Sequence, residues 1–249
     1  KALRAIRGND IAMIFQEPMT ALNPVYTVGN QIMEVLFVHE DIEPDEARTR
    51  AINMLEKVGI PSPETRIDEY PHQLSGGMRQ RVMIAMALIC NPEVLIADEP
   101  TTALDVTIQA QILELMNELQ ETMGTSILMI THDLGVVAEV CDAVVVMYAG
   151  KVAEKAEIHA LFETPRHPYT IALLKSLPSV EGRATDKLHT IRGMVPSAVD
   201  FSDGCRFADR CDFATKACEV QPELEQVGEE HWVACHHLDV VQSTYGENK

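Results

Sequence analysis

The sequence is short of positive charge, of long apolar runs and of glycines spaced for a phosphate loop. Its 20 Lys and Arg face 38 Asp and Glu, a formal charge of −18. That balance argues against nucleic acid as the main ligand, because phosphate backbones are gripped through clustered Lys and Arg. The longest uninterrupted apolar run, Val82–Cys90, has nine residues, far below the roughly 20 that span a bilayer. No charged-then-apolar signal segment stands at the front. No two of the 13 glycines stand five apart, and the Gly150-Lys151 pair continues with Val152. The loop G-x-x-x-x-G-K-[ST], which cradles nucleotide β- and γ-phosphates, is therefore not in this stretch of sequence. What remains is ample: 249 residues, 46% hydrophobic and 23% charged, enough for one large domain or a domain with an appendage.

Short apolar runs of strand length alternate with helical periodicity. Ile11–Phe15, Val94–Ala97, Ser126–Ile130 and Ala143–Tyr148 read as strands. Helices are expected near Val28–Phe37, over Asp45–Val58, from a Ser75 cap to about Cys90, and over Val106–Met123 before Gly124. Alternation of this kind predicts an α/β fold with a mostly parallel sheet covered on both faces. Ligands of such sheets sit beyond the C-terminal strand ends. Polar residues stand at those ends: Gln16 after the first strand, Asp98-Glu99 after the second and Thr131-His132 after the third. Paired carboxylates can divide the labour between a Mg²⁺ shell and a water to be activated. From about Thr164 the pattern turns to Pro-rich short helices, and after Gly193 to a Cys- and acid-rich tail.

The most specific string is Leu74-Ser-Gly-Gly-Met-Arg-Gln-Arg81. A serine and two glycines at a helix start leave backbone N–H groups and the positive dipole end open to a phosphate. The string resembles the signature motif of ATP-binding cassette (ABC) ATPases. Val94-Leu-Ile-Ala-Asp-Glu-Pro100 resembles their Walker B strand, and Thr101-Thr-Ala-Leu-Asp105 their D-loop. His132 resembles the switch histidine and Gln16 the Q-loop glutamine. Further strings narrow the likeness to the ATP-binding subunits of oligopeptide and dipeptide importers: Phe15-Gln-Glu-Pro-Met-Thr-Ala-Leu-Asn-Pro24, Tyr70-Pro-His-Gln-Leu-Ser-Gly-Gly77, Ile108-Gln-Ala-Gln-Ile112, His167-Pro-Tyr-Thr170 and the Cys-rich tail. Glu17 stands where many relatives have Asp, and Asp212 where Pro is common.

The resemblance implies a P-loop NTPase-like sheet with a helical signature subdomain at about residues 25–90. It implies an ABC ATPase domain over 1–155, a helical, Pro-rich linker over 156–200 and a Cys-rich extension over 201–249. In that family the phosphate loop precedes the Q-loop glutamine. The chain, which starts at Lys1, is expected to begin downstream of its own ATP cradle and to be inactive alone. Two such subunits would meet head to tail. Asp98, with Gln16, would hold Mg²⁺, Glu99 would act as general base, and His132 and Gln16 would position the γ-phosphate and the water. Ser75, Gly76, Gly77 and Gln80 would complete the partner's ATP site, and Asp105 would couple the two sites.

The implied partners are a second cassette, often a paralogue, two membrane-spanning permeases and an external substrate-binding protein. The expected place is the cytoplasmic face of the membrane. The alternative is a truncated, non-hydrolysing cassette that lends a partner only a signature half-site and a metal-binding tail; an importer of nickel or another small solute is a further option. Of six cysteines, Cys90 and Cys141 fall in apolar contexts. Cys205, Cys211, Cys218 and Cys235 stand within 31 residues. Four thiolates can hold an iron–sulfur cluster, and the resemblance suggests [4Fe–4S]; Zn²⁺ and free thiols remain alternatives.

Overall fold

The computed structural model describes residues 2–16, 21–102, 104–177 and 190–245. They form two compact units, Lys1–Leu134 and Gly135–Lys249. Compactness divides the chain after Leu134, whereas the resemblance implies a domain that runs to 155.

In the first unit, α1 (Ala2–Ile6) precedes strand β1 (Ile11–Ile14). Four helices follow: α2 (Val28–His39), α3 (Pro44–Lys57), α4 (Pro63–Arg66) and α5 (Gly76–Leu88). Strand β2 (Val94–Asp98), helix α6 (Val106–Met123) and strand β3 (Ser126–Ile130) complete it. The strands form a parallel sheet in the order β1-β2-β3, with Ile14 beside Ala97 and Asp98 beside Ile130. Parallel neighbours need long crossovers; α2 to α5 supply the first and α6 the second. This register brings the C-terminal tips of all three strands to one edge.

One apolar core holds the helices to the sheet. Ile14, Ile32, Leu36, Leu55, Ile84, Leu88, Leu95, Ile112 and Met116 are each at most 2% exposed. Each such side chain contributes roughly 1.5–3 kcal/mol by burial. Helix starts follow local chemistry. Thr27 accepts the Asn30 N–H at α2, Ser75 the Met78 N–H at α5, and Asp105 the Ile108 N–H at α6. Gly124, in the left-handed region at φ 70°, closes α6. Helix and strand ends differ from the sequence reading by a residue or two, as fraying ends do.

The second unit opens with α7 (Leu134–Val140), most of which lies within it. Strand β4 (Ala143–Tyr148) does not continue the parallel pattern as expected. It pairs antiparallel with β5 (Lys151–Glu157), in a sheet ordered β4-β5-β7-β6 with β6 (Glu225–Gly228) and β7 (His231–Val233). The cause is the two-residue loop between them. Ala149 (φ 49°) and Gly150 (φ 78°) are both left-handed, the twist that folds a strand straight back on itself. Tail strand β7 then pairs with β5, Glu154 lying beside Val233 and Lys155 beside Trp232.

Helices α8 (Ile158–Glu163) and α9 (Pro168–Lys175) follow the hairpin, and α10 (Leu238–Tyr245) ends the described chain. Glu154 is fully buried and satisfied: it accepts the Arg166 N–H (2.8 Å), the His167 N–H (2.9 Å) and a bond from His231 Nε2 (2.7 Å). A buried carboxylate is tolerable only with such partners. Burial holds the His167 pKa down at about 4, so its neutral Nδ1 can accept the Tyr169 N–H at 3.0 Å and cap α9. The His-Pro-Tyr string thus builds a helix start against the tail sheet. Residues 178–189 of the expected linker lie outside the described residues.

Candidate active site

Strand β2 carries its apolar residues to the sheet edge and then stops abruptly, because Glu99 adopts φ 44°. A left-handed conformation is unfavourable for a residue with a Cβ. It is held here by the Glu99 N–H donating to the Ile130 carbonyl (2.8 Å) and the Thr102 N–H donating to the Glu99 carbonyl (3.1 Å). The turn aims the carboxylate across the tips of the flanking strands. Its Oε2 accepts from Gln16 Nε2 at 2.8 Å and from Thr102 Oγ1 at 2.7 Å. Its Oε1 lies 3.1 Å from His132 Nδ1. Gln16 and His132, 83 and 33 residues away in sequence, thus meet on one carboxylate.

The Thr102 hydroxyl, then the His132 ring, hold the Glu99 carboxyl below the usual carboxylate range, and Gln16 adds to the effect. The group is an ionised acceptor at neutral pH. The imidazole is 76% exposed against 23% for the Glu99 side chain, so the cluster faces the open strand edge. Asp98, at the end of β2, is half-buried, and its carboxylate is engaged by no side chain among the described residues.

The signature residues occupy a separate place. Ser75 caps α5, its Oγ accepting the Met78 N–H at 3.3 Å. A Cβ on Gly76 would meet nothing within 4 Å, so the helix start is open to an approaching group. A Cβ on Gly77 would come within 3.0 Å of Ile108 Cγ2, so here glycine lets α6 pack close. Gln80, expected at the partner's nucleotide, is turned inward. It is 1% exposed, and its Nε2 donates to the Pro100 carbonyl at 2.6 Å. Asp105 is occupied as the cap of α6, at 3.0 Å from the Ile108 N–H.

The sequence reading gave Thr102 no role, although a hydroxyl three residues beyond a glutamate is in reach of its carboxylate. It also passed over Gln31. This buried side chain accepts the Asn23 N–H (2.8 Å) and donates to the Tyr26 carbonyl (3.0 Å), fixing the loop that follows the Gln16 strand. Residues 17–20 of that loop, Glu17 among them, and Ala103 of the Asp105 segment lie outside the described residues.

In the second unit the cysteines form no disulfide. The Cys205 N–H donates to the Cys218 carbonyl at 2.9 Å. Backbone N–H groups of Phe213 and His237 reach the sulfurs of Cys211 and Cys235, each at 3.4 Å. Burial raises the Cys205 and Cys211 thiols and pushes Cys235 to about 11; the other three tail thiols add to the rise at Cys235. Among the described residues no group of three or more His, Cys, Asp or Glu side chains is arranged to hold a metal ion.

Comparison with known proteins decides what the strand-edge cluster belongs to. The ABC transporter family matches residues 2–102, and the oligopeptide/dipeptide transporter C-terminal region matches residues 153–218. A putative peptide import ATP-binding protein of Brucella abortus is 56% identical over 242 residues, 94% of this chain and 71% of that protein. The chain belongs to the ATP-binding proteins of ABC transporters.

Two further relatives of this ATPase carry descriptive names. The oligopeptide transport ATP-binding protein AppD of Bacillus subtilis is 59% identical over 88% of this chain and 67% of its own length. The dipeptide transport ATP-binding protein DppD of Haemophilus influenzae is 54% identical over 95% and 71%. Among solved structures, the dimeric ATP-binding cassette MJ0796 bound to ADP and Pi matches with a TM-score of 0.56 and 30% identity, over 63% of this chain and 66% of that one. Among the described residues no helix of the cassette is long and apolar enough to cross a membrane.

The hydroxyl of Thr102 does most to hold the Glu99 pKa down. Thr102→Val should therefore raise that pKa, so that on acidification the carboxylate is lost at a higher pH than in the unaltered protein. A carbon-13 NMR titration of the Glu99 carboxyl measures this directly. Superimposable titration curves would contradict the assignment.

Proposed function

We propose that the protein is the ATP-hydrolysing subunit that powers an ABC importer of di- or oligopeptides. The observation that carries the reading is the convergence of Gln16, His132 and Thr102 on the ionised Glu99 carboxylate at the sheet edge. Glu99 is the general base: it takes the proton of a water as that water attacks the γ-phosphate. His132, beside the other carboxylate oxygen and largely exposed, orients the water and the γ-phosphate. Gln16 donates to Glu99 through its amide nitrogen, which leaves its amide oxygen for a cation.

The Asp98 carboxylate, engaged by no side chain among the described residues, offers hard oxygen ligands of the kind that suit Mg²⁺. Asp98 and Gln16 would hold the ion, which supplies charge neutralisation at the phosphates. Ser75, Gly76 and Gly77 serve the partner's ATP, since the open start of α5 offers N–H groups and a positive dipole end to a phosphate. Asp105, at the start of α6, couples the two sites across the dimer. The partner is a second cassette, and a paralogue fits the family's habit.

The assembly lies on the cytoplasmic face of a membrane with two permeases and an external binding protein. The loop after Gln16 and the segment before Leu74 face the permeases. In the latter, Tyr70 is exposed and stacks on His72 with ring centres 5.7 Å apart. Closure on ATP moves these segments because closed and open dimers bind nucleotide differently. Peptide selection belongs to the other chains.

Cys205, Cys211, Cys218 and Cys235 would hold a [4Fe–4S] cluster with a structural or redox-sensing role. The described side chains are not drawn together into a metal-holding group; the support is the four-cysteine spacing shared with the family and the N–H donors aimed at Cys211 and Cys235. Such donors offset sulfur charge in a cluster site.

Glu99→Gln in the full gene product should cut phosphate release to a small residual rate while ATP still drives dimer closure, followed by size-exclusion chromatography with ATP. Undiminished hydrolysis would sink the general-base role. Protein purified without oxygen should be brown, and Cys211→Ser should remove that absorbance. Colourless wild-type protein holding one zinc per chain would speak against the cluster.

A further inference from the structure

The carboxylate cluster stands on a strained turn, and one buried contact from outside the strand tips bears on that turn. Gln80 is 1% exposed, and its Nε2 donates to the carbonyl of Pro100, the residue after Glu99, at 2.6 Å. It lies on α5, five residues beyond the Ser75 that caps the helix. Gln80 shares the buried stripe of α5 with Ile84 and Leu88, each at most 2% exposed, so the helix is clamped by its apolar face and can move only with its surroundings.

The Glu99–Pro100 turn has little else to fix it against α5. Its other bonds run to the strand tips and within the turn: to Ile130 in β3, to Gln16 and His132 through the carboxylate, and to Thr102. A residue at φ 44° keeps that conformation only while its surroundings over-determine it.

We propose that Gln80 is a positioning residue that ties the signature helix to the catalytic turn. This inference rests on the functional reading above, in which the start of α5 engages the partner's ATP. A shift of α5 on that nucleotide then reaches the Pro100 carbonyl through the Gln80 amide and sets where the Glu99 carboxylate points. Each subunit's base is aligned only when its own signature is engaged, which makes the two hydrolytic sites report on each other. Gln80 itself touches neither nucleotide.

The test is a double-mutant cycle in the full gene product assembled with its permeases. Gln80→Leu removes the donor and keeps the buried stripe apolar. It should lower kcat by roughly 10- to 100-fold, the order expected when a catalytic group is slightly misplaced, with the dissociation constant for ATP unchanged. In the Glu99→Gln background it should cause no further loss of residual turnover. A wild-type kcat for Gln80→Leu would overturn the proposal. So would an equal fractional loss with and without Glu99, which would mark a role in the fold alone.

Should Gln80→Leu fail to assemble, Gln80→Met, unbranched and close in volume, makes the same comparison. The parent reading fails separately, through full hydrolysis by Glu99→Gln alone.

Discussion

The first unit depends on one constraint: a carboxylate must be held, ionised and aimed, at the end of a parallel strand. Glu99 meets it by adopting a left-handed backbone conformation that its neighbours stabilise on every side. Ile130 takes its N–H, Thr102 bonds both its carbonyl and its side chain, and Gln16 and His132 fix the carboxylate oxygens. The parallel register makes this possible. With Ile14 beside Ala97 and Asp98 beside Ile130, the residues just past each strand end fall together. The surrounding core, from Ile14 through Leu95 to Met116, keeps those ends in register.

The second unit solves a different problem, seating a short Cys-rich tail. It does so by pairing. Strand β7 completes the β4–β5 hairpin, and the buried Glu154 gathers the N–H groups of Arg166 and His167 and the ring of His231. Around Cys211 the packing is aromatic: Tyr148 and Phe207 meet edge to face with ring centres 5.1 Å apart. A close approach at Gly204 reinforces this, since a Cβ there would lie 2.4 Å from the Cys218 carbonyl oxygen.

Much of the strand-edge site is legible in the sequence because its grammar is local. A run of four or five apolar residues followed by polar ones marks a strand and its tip, which places Gln16, Glu99 and His132. What the sequence hides is direction. Gln80 sits in a string whose likeness points outward to a partner. Its spacing from Ile84 and Leu88, i to i+4 to i+8, puts it on the buried stripe, and that is where the structure has it. Strand β5 was hidden differently. Lys151-Val-Ala-Glu-Lys-Ala-Glu157 carries charge at helix-friendly intervals, and only the Ala149-Gly150 turn and the distant β7 make it a strand. The bonds to Glu154 were out of reach because they join residues up to 77 apart that no short motif links, whereas Thr102, three residues beyond Glu99, left a local signal.

The account stands or falls on the Glu99 carboxylate facing the water that attacks ATP. Electron cryomicroscopy of the assembled transporter trapped with ADP and vanadate images that geometry directly. The account predicts a Glu99 oxygen within about 3 Å of the apical vanadate oxygen, His132 beside it, and the partner's signature serine on the opposite side of the nucleotide. A Glu99 side chain turned away from the vanadate, with another group in its place, would contradict it.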